Sequence, residues 1–221
     1  MTYPDFFAAI KAGDLTQVQR MLADDPSLVN AKDDNGLSAV LMAAYYQQPA
    51  TAKLLAQRGA VLNVFEACAA GELPQVQALI VQQPALVNAY AADGFQPLGL
   101  AAFFGHTQVV EFLLEHGAEV NSASKNDMRV MPLHSAVATL RTGIIRLLLE
   151  HGADVNAAQA GDITPLHEAA QNGQGEVAQM LIERGANVNA KLTDGKTPLA
   201  IALEYKHDDV AGLLRKHGAV E

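Results

Sequence analysis

Apolar residues in the stretch 160–192 recur at the spacing of two short amphipathic helices. Leu, Ala and Ala within 166–170 lie on one face of a predicted first helix. Val, Met and Leu within 176–184 do the same for a second helix. A helix pair this short cannot bury both apolar faces by itself, so the pattern predicts a unit that stacks on copies of itself.

The residues at the helix ends agree with this interpretation. Thr164 carries a hydroxyl that can cap free amides, and Pro165 has no N–H to leave unsatisfied in the first turn. Gly173 can end the first helix. Gly185 stands where a helix needs a left-handed C-terminal residue, a conformation that glycine adopts without a Cβ clash.

Copies of the unit fill almost the whole chain, with a period of 33 residues in its C-terminal part. Gly-Ala closes the units at 59–60, 117–118, 152–153, 185–186 and 218–219. The Thr-Pro-Leu-His position recurs, with substitutions, at 38–41, 96–99, 131–134, 164–167 and 197–200. We predict one domain over 1–221, built from units at about 4–33, 34–62, 63–91, 92–126, 127–159, 160–192 and 193–221.

This period, with Thr-Pro-Leu-His at 164–167 and Gly-Ala at 185–186, resembles the ankyrin repeat family in its stand-alone bacterial form. The resemblance implies an all-α fold, an ankyrin-repeat solenoid of about seven helix-turn-helix units with short β-hairpin loops. It also implies that His134 and His167 form local hydrogen bonds and hold adjacent repeats together. Partners of such proteins usually dock on the concave face, which hairpin tips and first helices form.

Two joints between units break the regular spacing. After Gly59 and Ala60 the chain enters the next helix almost at once, at 63–65, so no hairpin is expected to project near residue 62. The joint between the fourth and fifth units is two residues longer than the others, and its loop at 122–128 is expected to protrude or to be mobile. The less regular N-terminal half is expected to open first.

Charge and composition limit the classes of partner that the chain is expected to bind. The net charge of −9 and the absence of a Lys/Arg cluster disfavour nucleic acid. No apolar stretch approaches the length of a membrane span, and the N-terminus lacks the basic and apolar regions of a secretory signal. The single cysteine, Cys68, is weakly indicative of a reducing compartment. We expect a cytoplasmic monomer that does not bind membranes.

No motif predicts catalysis, a metal or a cofactor. His167 and Glu168 begin a zinc-protease pattern, but Gln171 stands where its second histidine is needed. Gly173 and Gly175 lack the third glycine of a dinucleotide loop. Repeat register accounts for all seven histidines, namely His106, His116, His134, His151, His167, His207 and His217. Cys68 falls on an alanine position and is expected to be a small buried residue.

Side chains that follow the first helix of each unit, together with the hairpin tips, are the candidate binding surface. Aromatic pairs there suggest a binding floor, and tip aspartates suggest an acidic rim suited to a partner with basic and apolar residues. Alternatively, one member of each aromatic pair packs against a neighbouring repeat, and the aspartates only form turns. The candidate residues are Tyr45, Tyr46, Phe95, Phe103, Phe104, Asp34, Asp93, Gln171, Asn172 and Tyr205.

These observations favour a non-catalytic scaffold that binds a protein or peptide on its concave face. The alternative is a regulatory or protective companion subunit of an enzyme. A catalytic function of its own ranks third, because it needs a pocket with titrating groups held close together.

Overall fold

A computed structural model describes residues 3–220 of the chain. Its backbone contacts divide the protein into two compact units, Met1–Leu86 and Val87–Glu221. The terminal residues 1–2, part of the predicted N-terminal segment, and residue 221 of the last predicted repeat lie outside the described residues.

Helix pairs build the first unit. The first helices bury small or apolar faces, and second helices of equal or greater length follow after tight turns. The helices are α1 (Tyr3–Ala12), α2 (Leu15–Asp24), α3 (Ala39–Tyr45), α4 (Pro49–Gln57), α5 (Val64–Ala70) and α6 (Leu73–Gln82), with a short 3-10 helix at Pro26–Asn30. A second 3-10 helix, Pro84–Asn88, begins in this unit and ends in the next.

The second unit repeats this arrangement more regularly. Its first helices pack on one another in chain order, and so do its second helices, which gives two helical layers within the unit. The helices are α7 (Pro97–Phe104), α8 (Thr107–Glu115), α9 (Pro132–Ala138), α10 (Thr142–Glu150), α11 (Pro165–Gln171), α12 (Gly175–Glu183), α13 (Pro198–Glu204) and α14 (Asp208–Lys216), with one 3-10 turn at Ala160–Asp162.

The all-α prediction is confirmed, but the loops between the repeats contain less β-structure than the predicted β-hairpins. Across residues 3–220 no β-strand forms, and the loops are closed by turn hydrogen bonds. Within that range the single antiparallel bridge pairs Lys32 with Ser38. In the same loop the Asp33 N–H donates to the Leu37 carbonyl at 2.9 Å. The loops are too short to extend such pairing into a ladder of strands.

The helix ends of the repeat at 160–192 are as the sequence predicts. Thr164 is the N-cap residue of α11 and forms a capping box with His167. In this box the Thr164 N–H donates to Nδ1 of His167. Pro165 occupies the first turn. Gly173 and Gly185 follow the two helices with φ of +65° and +89°. The left-handed C-terminal residue predicted at Gly185 is thus confirmed.

The joint near residue 62 lacks a hairpin, as predicted. Residues 58–63 connect α4 to α5. The turn among them, at 58–59, is the one that ends α4. Asn63 caps α5 by accepting N–H bonds, while Glu66 accepts the Asn63 N–H in return. One asparagine therefore ends the connection and starts the next helix.

The long loop at 122–128, which the sequence predicts to protrude or to be mobile, is hydrogen-bonded to the preceding loop. The Lys125 N–H donates to the Gly94 carbonyl at 2.9 Å. The Asn126 amide donates to the Asp93 carbonyl, also at 2.9 Å. The Lys125 donor is a backbone N–H, as at Ala160 and Thr193 in the later loops, whereas the Asn126 donor is a side chain whose contact spacing alone does not predict.

We expect backbone amides in α3–α6 to exchange with solvent faster than those in α9–α14. The repeats of the second unit are linked by hydrogen bonds between consecutive loops, and the joint at 58–63 lacks the loop that would form them. Segments with fewer of these hydrogen bonds unfold locally at a lower cost in free energy. Hydrogen exchange read by mass spectrometry checks this, and equal protection in the two helix sets would contradict it.

Candidate protein-binding surface

Aromatic side chains are exposed at the C-terminal ends of several first helices. Tyr45 and Tyr46, at the end of α3, are 42% and 47% exposed. Phe103, in the last turn of α7, is 39% exposed, and Tyr205, after α13, is 51% exposed. Phe104 is half-buried instead. The two tyrosines are therefore both exposed, whereas the phenylalanine pair is divided between solvent and packing.

Neighbouring groups fix how these rings are presented. The ring of Phe104 meets that of Phe103 edge to face, with centroids 5.1 Å apart. The Thr139 hydroxyl, in the next repeat, donates to the Phe103 carbonyl at 3.0 Å. In the first unit the Lys11 ammonium lies 5.6 Å from the centroid of the Tyr46 ring, a cation–π distance. Local contacts thus limit the freedom of the rings and leave them accessible.

In the second unit the exposed positions form a row, because α7, α9, α11 and α13 stack in that order. Gln171 and Asn172 are exposed at the end of α11. The sequence analysis missed Leu140, which follows α9 and is 58% exposed. An apolar residue just past a first helix was the signal that could have identified it. We call this set the second-unit row: Phe103, Leu140, Gln171, Asn172 and Tyr205.

The remaining candidates lie on the hairpin loops. Asp34 and Asp93 are exposed, and Phe95 is half-buried. The Phe95 N–H donates to the Asp93 carboxylate at 3.2 Å. Asp33 accepts a similar bond from the Leu37 N–H at 2.8 Å. These two carboxylates therefore stabilise the turns in which they lie, as the turn interpretation expected.

His167 bonds to the helix cap at Thr164 and to the end of its own repeat, where the loop toward the next repeat begins. Its Nδ1 lies 3.1 Å from the Thr164 backbone nitrogen and 2.8 Å from the Thr164 hydroxyl. Since Nδ1 accepts there, the proton is on Nε2, which donates to the Ala190 carbonyl at 3.2 Å. Burial is the main cause of a lowered His167 pKa, and it favours the neutral ring.

His134 holds the same position in the preceding repeat but has fewer bonds. Its Nε2 lies 3.1 Å from the Ile163 carbonyl. Met131 replaces the capping threonine there, and Nδ1 is buried without a hydrogen-bond partner among the described residues. Burial lowers the pKa of His134 to about 4. The His134 bond therefore reaches the next repeat, as the resemblance implies, whereas His167 closes a cap and binds the end of its own repeat.

Glu168 is the acid at a position that is uncharged in the neighbouring repeats. Its equivalents are Met42, Leu100, Ser135 and Ile201, all buried. Gln159 donates to its Oε1 at 2.7 Å, while Oε2 is buried without a hydrogen-bond partner among the described residues. Burial raises the pKa of Glu168 to about 7. The sequence analysis discussed Glu168 only as part of a rejected zinc pattern.

Neither an exposed thiol nor a cluster of potential metal ligands is found in the part of the chain that the structure describes. Cys68 is fully buried, and burial raises its pKa, which disfavours a thiolate nucleophile. Among residues 3–220, no three His, Cys, Asp or Glu side chains cluster so that they could hold a metal ion. None of the described helices combines the length and the apolar character needed to cross a bilayer.

Two mammalian proteins are similar to part of the chain. The chain is 33% identical over 123 residues to Ankyrin repeat and SAM domain-containing protein 6 of Rattus norvegicus. It is 32% identical over 123 residues to the protein of the same name from Mus musculus. Each match covers 56% of this chain and 11% of the relative, so the chain spans only a small part of these proteins.

A bacterial relative matches over more of its own length. The chain is 31% identical over 144 residues to the Putative ankyrin repeat protein YahD of Escherichia coli strain K12, which covers 60% of this chain and 69% of that protein. A family model described as ankyrin repeats in three copies matches residues 6–122, 64–159 and 158–220. The chain therefore belongs to the ankyrin repeat family.

Proposed function

We propose that this chain is a non-catalytic interaction module that binds a protein or peptide through the exposed ends of its first helices. Ankyrin repeats generally mediate protein–protein interaction. The observation that carries the proposal is the exposure of Tyr45, Tyr46, Phe103 and Tyr205, which lies between 39% and 51%. These helix ends belong to the face that is concave in the family.

Exposed aromatic side chains at these positions support binding because they are costly to leave in water. Burying apolar area yields roughly 25 cal/mol per Å². Tyrosine and other large aromatics supply much of the free energy at interface centres and lose little side-chain entropy on binding. The second-unit row adds Leu140, which is 58% exposed, between Phe103 and Tyr205. An apolar partner segment lying along the row would cover all three.

The negative charge of the chain suggests that the partner carries basic residues as well as apolar ones. The net charge is −9, and Asp34 and Asp93 are exposed at hairpin tips. Lys or Arg side chains beside the partner's apolar residues would be drawn to such a surface and would raise the association rate at low salt. We therefore expect affinity to fall as the ionic strength rises.

Replacing Phe103 and Tyr205 with alanine is expected to weaken binding of the partner by at least about tenfold, because each truncation removes an aromatic contact. The unfolding transition is expected to change little, since both side chains are partly in solvent already. Partners captured from a lysate are purified, and their dissociation constants are then measured by calorimetry. Phe104 is not a suitable target, because it is half-buried and its loss would alter the packing.

Val220→Ala is the matched control, because Val220 is 62% exposed in the same unit but lies outside the second-unit row and outside the hairpin loops. Equal affinity of the double alanine variant and the wild type would refute the proposed surface. If the captured partner is an enzyme whose activity or stability changes on binding, the module acts as a companion subunit.

A further inference from the structure

In the second unit, each hairpin loop is hydrogen-bonded to the loop of the next repeat. Apart from the bond from the Lys125 N–H to the Gly94 carbonyl, the acceptor is the backbone carbonyl of the third residue of the turn. The bonds run from the Asn126 side-chain amide to the Asp93 carbonyl at 2.9 Å, from the Ala160 N–H to the Met128 carbonyl at 3.0 Å, and from the Thr193 N–H to the Gly161 carbonyl at 3.1 Å.

The corresponding residue in the first unit is Asn35. Its turn is closed in the usual way, since the Gly36 N–H donates to the Asp33 carbonyl at 2.9 Å. The next repeat has no loop there, because residues 58–63 pass directly from one helix to the next. Within residues 3–220, no hydrogen bond reaches the Asn35 carbonyl. The acceptor that links repeats elsewhere is thus unused here.

A cavity of about 380 Å³ lies where the loop is missing. Half of its ten lining residues are apolar and half are polar. They include Val29, Lys32, Ser38, Val40, Val61 and Leu62, together with the carboxyl group of Glu66. Between the last two repeats the loop 190–196 follows the corresponding stretch, with Leu192 half-buried and the Ala190 carbonyl bound to His167.

The mouth of this cavity is unusually apolar. Val61 is 80% exposed. The same place after Gly-Ala is taken by Glu119, Asp154 and Asn187 in repeats where a loop follows. An aliphatic side chain this exposed beside a partly apolar cavity supplies apolar area that another chain can bury.

We propose that this cavity, with the Asn35 carbonyl, is a docking slot for a β-turn segment of a protein partner. The segment supplies what residues 190–197 supply elsewhere in this chain: a backbone N–H for the Asn35 carbonyl and one aliphatic side chain that enters the cavity. An acidic side chain on the segment can pair with Lys32, which is exposed at the rim. The slot lies within the first unit and is separate from the second-unit row.

A cyclic peptide with the sequence of residues 189–197 is the probe for this slot. We expect saturable shifts of the amide signals of Asn35, Val61 and Leu62 in NMR spectra of the full chain as the peptide is added. Val61→Glu should weaken the peptide at least about tenfold, because it places a charge at an apolar contact. Val81→Glu is the matched control, since Val81 is 74% exposed on α6 and lies outside the slot.

Two further variants complete the test. A peptide in which Leu192 is replaced by aspartate is expected not to bind. Inserting residues 190–197 between Asn63 and Val64 should fill the slot from within the chain and abolish binding of the peptide, with a helical circular dichroism spectrum retained.

Three results would overturn the proposal. The first is the absence of saturable binding at peptide concentrations up to about 1 mM, the weak end of specific affinities. The second is binding that Val61→Glu leaves unchanged. The third is dimerisation of the free chain that Val61→Glu abolishes, because a second copy would then cover the slot. Phe103→Ala should leave peptide binding unchanged, so this test is independent of the second-unit row.

Discussion

Replacing Glu168 with glutamine is expected to raise the free energy of unfolding by about 2–3 kcal/mol at pH 8 and to change it little at pH 4. Glutamine keeps the oxygen that accepts the bond from Gln159 and resembles the neutral acid in shape. The variant therefore keeps the contacts of Glu168 and removes only its charge.

The direction follows from the raised pKa of Glu168. In the folded protein burial brings this pKa to about 7, against an ordinary value of 4.5. The folded state therefore binds more protons than the unfolded chain between these two values, and stability falls as the pH rises through that window. Above pH 7 the full cost of burying the carboxylate is present, and below pH 4.5 it is absent. A glutamine at this position has no such dependence.

Urea denaturation of both proteins at several pH values between 4 and 8 measures this difference. Comparison at equal pH removes the effect of His134, whose lowered pKa makes stability fall as the pH drops from 6.5 toward 4. Glu176→Gln is the control for the loss of one carboxylate, because Glu176 is exposed on α12. A difference between Glu168→Gln and the wild type that is constant over this pH range would contradict the assignment.

Features set by local chemistry were predictable from the sequence. The cap at Thr164, the left-handed residue at Gly185 and the missing hairpin near residue 62 each depend on residue type and spacing within one repeat. Repetition made these predictions stronger, because each position could be compared with its copies. The all-helical fold followed for the same reason.

Features that depend on contacts between repeats were harder to predict from the sequence. Sequence alone did not separate Phe103 from Phe104, because both follow the alanine pair and only packing decides which ring is buried. The length of the loop at 122–128 predicted that it protrudes or is mobile, but it did not predict the hydrogen bond from Asn126 to the preceding loop. Glu168 showed nothing unusual in the sequence until its burial and its unpartnered oxygen were known.

His167→Leu is expected to lower the free energy of unfolding by about 3 kcal/mol, and His134→Leu by only about 1 kcal/mol. The first change leaves the Thr164 N–H and the Ala190 carbonyl without their partner in a buried region. The second removes one bond, to the Ile163 carbonyl, and also removes a buried nitrogen that has no partner. Urea denaturation at pH 7.5 measures both, since the lowered pKa values keep both rings neutral there.

The difference between the two histidines comes from residue 131, and a further variant tests that cause. Met131→Thr should supply the hydroxyl that His134 Nδ1 lacks and rebuild the cap that Thr164 forms in the next repeat. In that background the cost of His134→Leu should approach the cost of His167→Leu. If the cost of His134→Leu stays at about 1 kcal/mol, the missing cap does not cause the difference in cost between the two histidines. Leucine fits this position without distortion in the first unit, where Leu41 occupies it, so the variants report lost hydrogen bonds rather than a steric clash.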